Sequence, residues 1–195
     1  MTKSIWVVIV DNYQPEVCKQ TLPTIEKYAD KIGAKLNIIS KRKWPEATAP
    51  YEKLQVYELG KGYDWNIVVD ADLLIEDTMH DPTTMVPDQT VATWMCYDPA
   101  PYFPCDEYYY RDGRHIGASF NFLFVPRACH DALMPFPNEE IKSRMAALKR
   151  PFMLDEYCLS RNIARYGLKF CGILSDLQNP PFKHLNATSG HDSHI

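Results

Sequence analysis

The sequence predicts an α/β domain with a central mixed, mostly parallel sheet flanked by helices on both faces. Three observations carry this expectation. Short apolar, β-branched runs alternate with longer segments of helical apolar period, as in consecutive strand–helix units. The length, 195 residues, suits one compact domain with a sizeable core. The first apolar run, Ile5–Val10, has no polar residue, as expected of a strand covered on both faces.

The elements follow in order. Pro15–Ile32 places Val17, Leu22, Ile25, Tyr28, Ala29 and Ile32 at helical spacing. Pro15 suits the first turn, Gly33 suits a C-terminal cap, and Pro23 predicts a kink or a division. Lys35–Ile39 reads as a second strand and Trp44–Pro50 as a loop. Tyr51–Leu59 reads as a helix ended by Gly60 and Gly62. Trp65–Val69 is a buried strand that runs into Asp70-Ala71-Asp72, after which Leu73–Ile75 resumes the apolar run. Thr90–Met95, Gly117–Val125 and Leu168–Leu174 are further strands. Asn138–Leu148 and Asp155–Tyr166 are helices, the second opened by two acids and closed by Gly167. No repeat or low-complexity tract divides the chain. The expected organisation is a single domain over 1–195, with one half over about 1–95 and a second over about 96–195.

Composition narrows the functional classes. Net charge is −4 with no block of Lys or Arg, which argues against a nucleic-acid partner. No stretch approaches the roughly 20 apolar residues of a membrane span, and the N-terminal run is too short for a signal peptide. The chain read by itself is therefore expected to be cytoplasmic, alone or as one domain of a longer protein. The six cysteines are scattered singly without a C-x-x-C pair, so reduced and mostly buried thiols are expected rather than a structural zinc site.

Asp70-Ala71-Asp72 carries the chemistry. Ligands bind at strand ends in open α/β sheets, and this tripeptide stands at one. Two carboxylates so close repel, and a divalent cation relieves them because Mg²⁺ and Mn²⁺ favour carboxylate oxygen. Small Ala71 leaves room for a bulky ligand. Such a cation keeps positions open for diphosphate oxygens and stabilises charge on a leaving nucleoside diphosphate. The alternative is an acidic turn or helix cap.

The surrounding segment is Tyr51-Glu52-Lys53-Leu54-Gln55-Val56-Tyr57-Glu58-Leu59, then Tyr63-Asp64-Trp65 through Asp70-Ala71-Asp72-Leu73-Leu74-Ile75. It resembles the donor-binding segment of glycosyltransferases with the A-type fold, particularly family 8, the glycogenin-like and bacterial lipooligosaccharide galactosyltransferase group. About a quarter of the chain matches closely; the rest agrees in element order. The resemblance implies a nucleotide-sugar diphosphate transferase fold and a UDP-sugar donor. Asp72 and Asp70 would bind Mn²⁺ or Mg²⁺, with Asp72 the safer direct ligand and Asp70 able instead to hold the ribose. Lys53 would stand near the donor phosphates or sugar; the alternative is a solvated helix lysine.

Further matches supply the other candidates. Asp11-Asn12-Tyr13 stands where the family holds nucleobase and ribose; otherwise Asp11 or Asn12 would cap the following helix. Asn121 matches the asparagine of an F-N-S-G strand, although Phe122-Leu123 replaces Ser-Gly. Asp155-Glu156 matches an acidic pair near the reacting sugar, suited to orienting hydroxyls or accepting a proton; helix capping is the alternative. His184 resembles the family's late histidine, the third protein ligand of the metal, and imidazole favours Mn²⁺. Ala187 replaces the family's glycine there, and His191 and His194 are rivals. Tyr97–His115 holds Tyr97, Tyr102, Phe103 and Tyr108–Tyr110 among Asp98, Asp106 and Asp112, a composition suited to sugar faces and hydroxyls in an acceptor site.

The expected activity is metal-dependent transfer of a sugar from a nucleoside diphosphate sugar to a glycan or glycoprotein acceptor, leaning toward retention. Two alternatives are a nucleotidyltransferase making a nucleotide sugar and a non-catalytic glycan-binding domain. The first needs a glycine-rich, basic loop after the first strand, and Asp11–Pro15 is neither.

Overall fold

The computed structural model describes residues 1–104, 110–111, 114–173 and 180–185. Twelve strands and four α-helices are described. The main sheet contains β1 (Lys3–Val8), β2 (Ala34–Ile39), β3 (Trp65–Val69), β5 (Thr90–Thr93), β10 (Phe122–Pro126) and β11 (Lys169–Gly172), in the spatial order β11-β5-β10-β3-β1-β2. β1 runs parallel to β2 and β3, and β11 runs parallel to β5. Only β10 is reversed, pairing antiparallel with β3 and β5. Its first residue, Phe122, stands opposite Val69, the last residue of β3. The start of β10 and the end of β3 thus share one edge of the sheet.

Alternation along the strands separates two cores. Ile5, Val7, Ile67 and Val69 face α1 (Pro15–Ile32), packing with its Ile25 and Tyr28. Trp6, Val68, Leu123 and Val125 face the other way, toward Tyr51, Leu54 and the buried side of α4 (Leu154–Arg165). α2 (Val56–Leu59) and α3 (Asn138–Ala146) complete the helices. No described helix is long and apolar enough to cross a membrane.

Several expectations need correction. Pro23 does not divide α1, which runs from Pro15 to Ile32 as one helix with Gly33 at its C-cap in the left-handed region, φ 66°. The helix starts after Gln14, whose side chain makes no capping bond, so neither Asp11 nor Asn12 is the cap. Tyr51–Leu59 is not one α-helix. Residues Ala49–Gln55 form a 3₁₀ turn and only Val56–Leu59 is α-helical. Pro50 opens this tighter turn, and Glu52 and Lys53 both turn inward from it. The run Gly117–Val125 divides into β9 (Gly117–Ala118) and β10, because Ser119–Asn121 leave the ladder at the site.

Three two-stranded sheets flank the main one. β6 (Cys96–Tyr97) pairs with β9, and β7 (Tyr110–Arg111) pairs with β8 (Arg114–His115). β4 (Leu73–Ile75) pairs with β12 (Phe182–His184), with His184 opposite Leu73 and Phe182 opposite Ile75. Among the described residues, Cys18, Cys96, Cys129, Cys158 and Cys171 are free thiols, and the first, third and fourth are buried. Cys105 lies outside the described residues.

Candidate active site

The acidic tripeptide leaves β3 as a tight turn. Asp70 N–H donates to the Asn121 carbonyl at 2.9 Å, one last rung of the β3–β10 ladder, and Leu73 N–H donates back to the Asp70 carbonyl. The Thr21 hydroxyl of α1 donates to the Ala71 carbonyl at 2.5 Å and anchors the turn from the helix side. The two aspartates therefore sit on a braced backbone.

The β4–β12 ladder brings the late histidine to the same place. Leu185 N–H donates to the Asp72 carbonyl at 3.0 Å, extending that pairing to the tripeptide itself. His184 Nδ1 lies 3.6 Å from Asp72 Oδ1, and its Nε2 lies 3.4 Å from Asn121 Nδ2. Asp70, Asp72 and His184 each offer a ligand atom, all within 4.8 Å of one another. Opposite ligands around an octahedral Mg²⁺ stand about 4 Å apart, so this donor set fits one small divalent cation. Two carboxylates and an imidazole are donors that a divalent cation accepts. His191 and His194 lie outside the described residues.

The electrostatics match a site prepared for positive charge. Burial pushes the Asp70 carboxyl above its usual range; Asp72 raises it further, and Lys53 only partly offsets them. Burial would also raise Asp72, yet the His184 and Tyr13 hydrogen bonds hold it below the usual range. Burial disfavours the His184 imidazolium, but its bond to Asp72 and the Asp70 charge raise its pKa overall.

Lys53 is not a solvated lysine. It is 6% exposed, and its ammonium lies 2.7 Å from Asp70 Oδ1, 3.0 Å from Asp155 Oδ2 and 3.2 Å from the Phe120 carbonyl. Burial opposes its charge, but Asp155 and Asp70 raise its pKa well above the lysine value. Sequence periodicity missed this role because a lysine inside a 3₁₀ turn carries no sign of which way it points.

Asp155 and Glu156 open α4, but neither makes a capping bond. Asp155 is buried against Lys53. Glu156 accepts from the Tyr97 hydroxyl at 2.6 Å and from Phe120 N–H at 3.0 Å. Burial, with the Asp155 charge next, pushes the Glu156 carboxyl up to about 7. Burial and the Glu156 charge push the Tyr97 phenol far above its usual range.

The loop after β1 adds a strained segment. Asp11 and Asn12 both have φ 54° and Gln14 has φ 35°, left-handed values that Asp and Asn tolerate better than most residues. Asp11 is exposed and pairs with Arg42 at 2.6 Å; Arg42 also binds the fully buried Glu52 at 3.0 Å. Asn12 is exposed and reaches neither cleft lining. Tyr13 donates its hydroxyl to Asp72 Oδ2 at 2.9 Å.

Two clefts meet at Asp70 and Lys53. The smaller, about 110 Å³, is bounded by Val8, Val10, Tyr13, Pro50 and the acidic tripeptide. The larger, about 420 Å³, runs past Asn121, Asp155 and Glu156 to Tyr97, Tyr102, Arg150 and Phe152. Arg150 and Phe152 were not singled out from the sequence; both lie in the segment just before the recognised acidic pair. Phe103, expected among acceptor aromatics, is a core residue, 2% exposed and edge-on to Tyr157. Asp106, Tyr108, Tyr109 and Asp112 lie outside the described residues.

No protein-family model matches the chain, and no curated protein matches it in sequence. Solved structures do match it in shape. A glycosyltransferase involved in glycosylation of the major capsid of PBCV-1 aligns over 88% of this chain and 81% of its own, with TM-score 0.50 and 9% identity. The catalytic domain of Drosophila β1,4-galactosyltransferase 7, crystallised with xylobiose, aligns over 95% of this chain and 71% of its own, with TM-score 0.50 and 14% identity. The fold is therefore of the glycosyltransferase A type.

Proposed function

We propose that the chain is a metal-dependent glycosyltransferase that moves a sugar from a nucleoside diphosphate sugar, with UDP as the nucleotide, to a saccharide or protein-linked glycan. One observation carries this reading: the Asp70–Asp72–His184 donor set includes Asp70, which lines both clefts. The fold adds support, since its neighbours are glycosyltransferases. The resemblance of Tyr51–Leu59 and Tyr63–Ile75 to family 8 segments favours a UDP donor and a retaining outcome.

In this reading Asp70, Asp72 and His184 hold Mn²⁺ or Mg²⁺, which supplies charge stabilisation to the departing diphosphate. The smaller cleft, built wholly from residues 8–72, takes the donor, with Tyr13 toward the nucleoside and exposed Asp11 and Asn12 outside its lining. The larger cleft takes the acceptor. Asn121 lines the larger cleft, close to His184, and would orient the sugar being moved. Glu156 lines the acceptor cleft; as the sugar's bond to the diphosphate breaks and the acceptor oxygen bonds on the same face, the ionised carboxylate receives the proton of the acceptor hydroxyl. Asp155 supplies fixed negative charge beneath it.

The test is a thermal-shift screen of UDP-, GDP-, dTDP- and CMP-sugars with Mn²⁺ or with EDTA. Stabilisation by a UDP-sugar only with Mn²⁺ is expected, and Asp72→Asn should abolish it while the fold survives. No stabilisation by any nucleotide in either condition overturns the reading. The anomeric configuration of the product, read by proton NMR, tests retention.

A further inference from the structure

The three protons of a lysine ammonium are its entire hydrogen-bonding capacity. Lys53 donates to Asp155 and to the Phe120 carbonyl at 3.0 and 3.2 Å and forms an ion pair with Asp70 at 2.7 Å. The ammonium is thus held between two carboxylates where its side chain borders both clefts. Its carboxylate partners come from separate parts of the chain: Asp70 ends β3, and Asp155 opens α4. One belongs to the proposed metal donor set; the other lies toward the proposed acceptor.

We infer that Lys53 is a positioning residue that ties the Asp155 carboxylate to the Asp70 carboxylate and thereby couples the acceptor cleft to the metal site. The inference rests on the metal site proposed above. Its physical basis is competition for charge. A divalent cation at Asp70 and Lys53 draw on the same carboxylate. Asp155 shares the ammonium, so only part of its charge is spent on Asp70. Remove the Asp155 charge and Lys53 turns wholly to Asp70, which then offers less to a cation. A change on the acceptor side is thus felt at the metal, with Lys53 as the link. Glu156 does not join this link directly, because its two oxygens are held by Tyr97 and Phe120 N–H.

A double-mutant cycle read by calorimetric Mn²⁺ titration, with no sugar present, tests the link. In the native background Asp155→Asn should weaken Mn²⁺ binding about five- to tenfold. In a Lys53→Met background the same substitution should change it less than twofold. Equal effects in both backgrounds, or no effect in the native one, overturn the inference. If Lys53→Met does not fold, Asp155→Glu replaces that arm. Restoring the carboxylate should recover most of the Mn²⁺ affinity lost in Asp155→Asn; no recovery overturns the inference. Circular dichroism and the thermal midpoint of each variant verify the fold. Absence of Mn²⁺ binding by the native chain would instead defeat the metal-site reading itself, so the two failures are distinguishable.

Discussion

His184 stands directly opposite Leu73 in the β4–β12 ladder, one residue beyond the acidic tripeptide. Backbone pairing, rather than side-chain packing alone, delivers the imidazole to Asp72. The histidine therefore completes the donor set without altering the ladder that positions it. His184→Ala should leave the thermal midpoint of the metal-free protein nearly unchanged. It should cost at least tenfold in Mn²⁺ affinity, about 1.4 kcal/mol. Calorimetric titration alongside a melting curve checks both halves.

Tyr13 spends its hydroxyl on Asp72 Oδ2, one of the oxygens a metal would draw upon. Tyr13→Phe keeps the ring and frees that oxygen. Mn²⁺ affinity is expected to rise two- to fivefold, on the order of 0.5–1 kcal/mol, the usual net worth of one hydrogen bond. Unchanged or weaker binding would show that the phenol does not compete with the cation.

Glu156 links stability and activity to pH with opposite signs. Its folded pKa, about 7, lies above the ordinary 4.5, so the folded state binds the extra proton between those values. Its contribution to stability is full below about pH 4.5 and is lost as pH rises through about 7. Proton acceptance needs the ionised form, so turnover should rise through the same interval. Glu156→Gln should flatten the stability curve between pH 4.5 and 7 and lower kcat about 100-fold or more. Urea denaturation and initial rates across that range provide the two readings.

Lys53 pairs with the buried Asp155 carboxylate and the partly exposed Asp70 carboxylate, and removing it leaves the buried acid without its cation. Loss of one partner from such a buried pair typically costs about 3–5 kcal/mol. Lys53→Ala should destabilise the fold by that order in urea denaturation at pH 7.5, and less at pH 5, where the abandoned acids can take up protons.

Phe152 is 55% exposed at the mouth of the larger cleft. Little core packing depends on it. Phe152→Ala should raise the acceptor KM several-fold, leave the donor KM unchanged and shift the melting temperature by no more than about 2 °C. A matching loss for the donor would place the acceptor elsewhere.

Much of this framework is legible in residue order. Trp65–Val69 reads correctly to the residue because a short apolar run bounded by acids has one economical conformation. Asp70, Asp72 and His184 were all singled out, and the structure brings them together. Local patterns could not show how they meet, since the β4–β12 pairing joins distant parts of the chain. Nor could they show that Glu52 and Lys53 point inward together. Propensity favours a solvated face for such residues, whereas Arg42 and Trp44 N–H bind the first and two acids bind the second. The split of Gly117–Val125 was equally hidden, because Ser119–Asn121 depart from the strand at the cleft rather than at a glycine or proline.

The reversed direction of β10 has an engineering consequence. It brings the chain into the site before the strand, and the excursion from residue 98 to residue 116 leaves and returns through the short β6–β9 pairing. That pairing acts as a socket whose floor is Phe103, buried against Tyr157: a graft between Tyr97 and Gly117 that keeps this ring should leave the backbone holding Asp70 and Asp72 in place. Under the proposed function, exchange of this segment should alter acceptor choice while the smaller cleft, bounded by residues 8–72, keeps its lining.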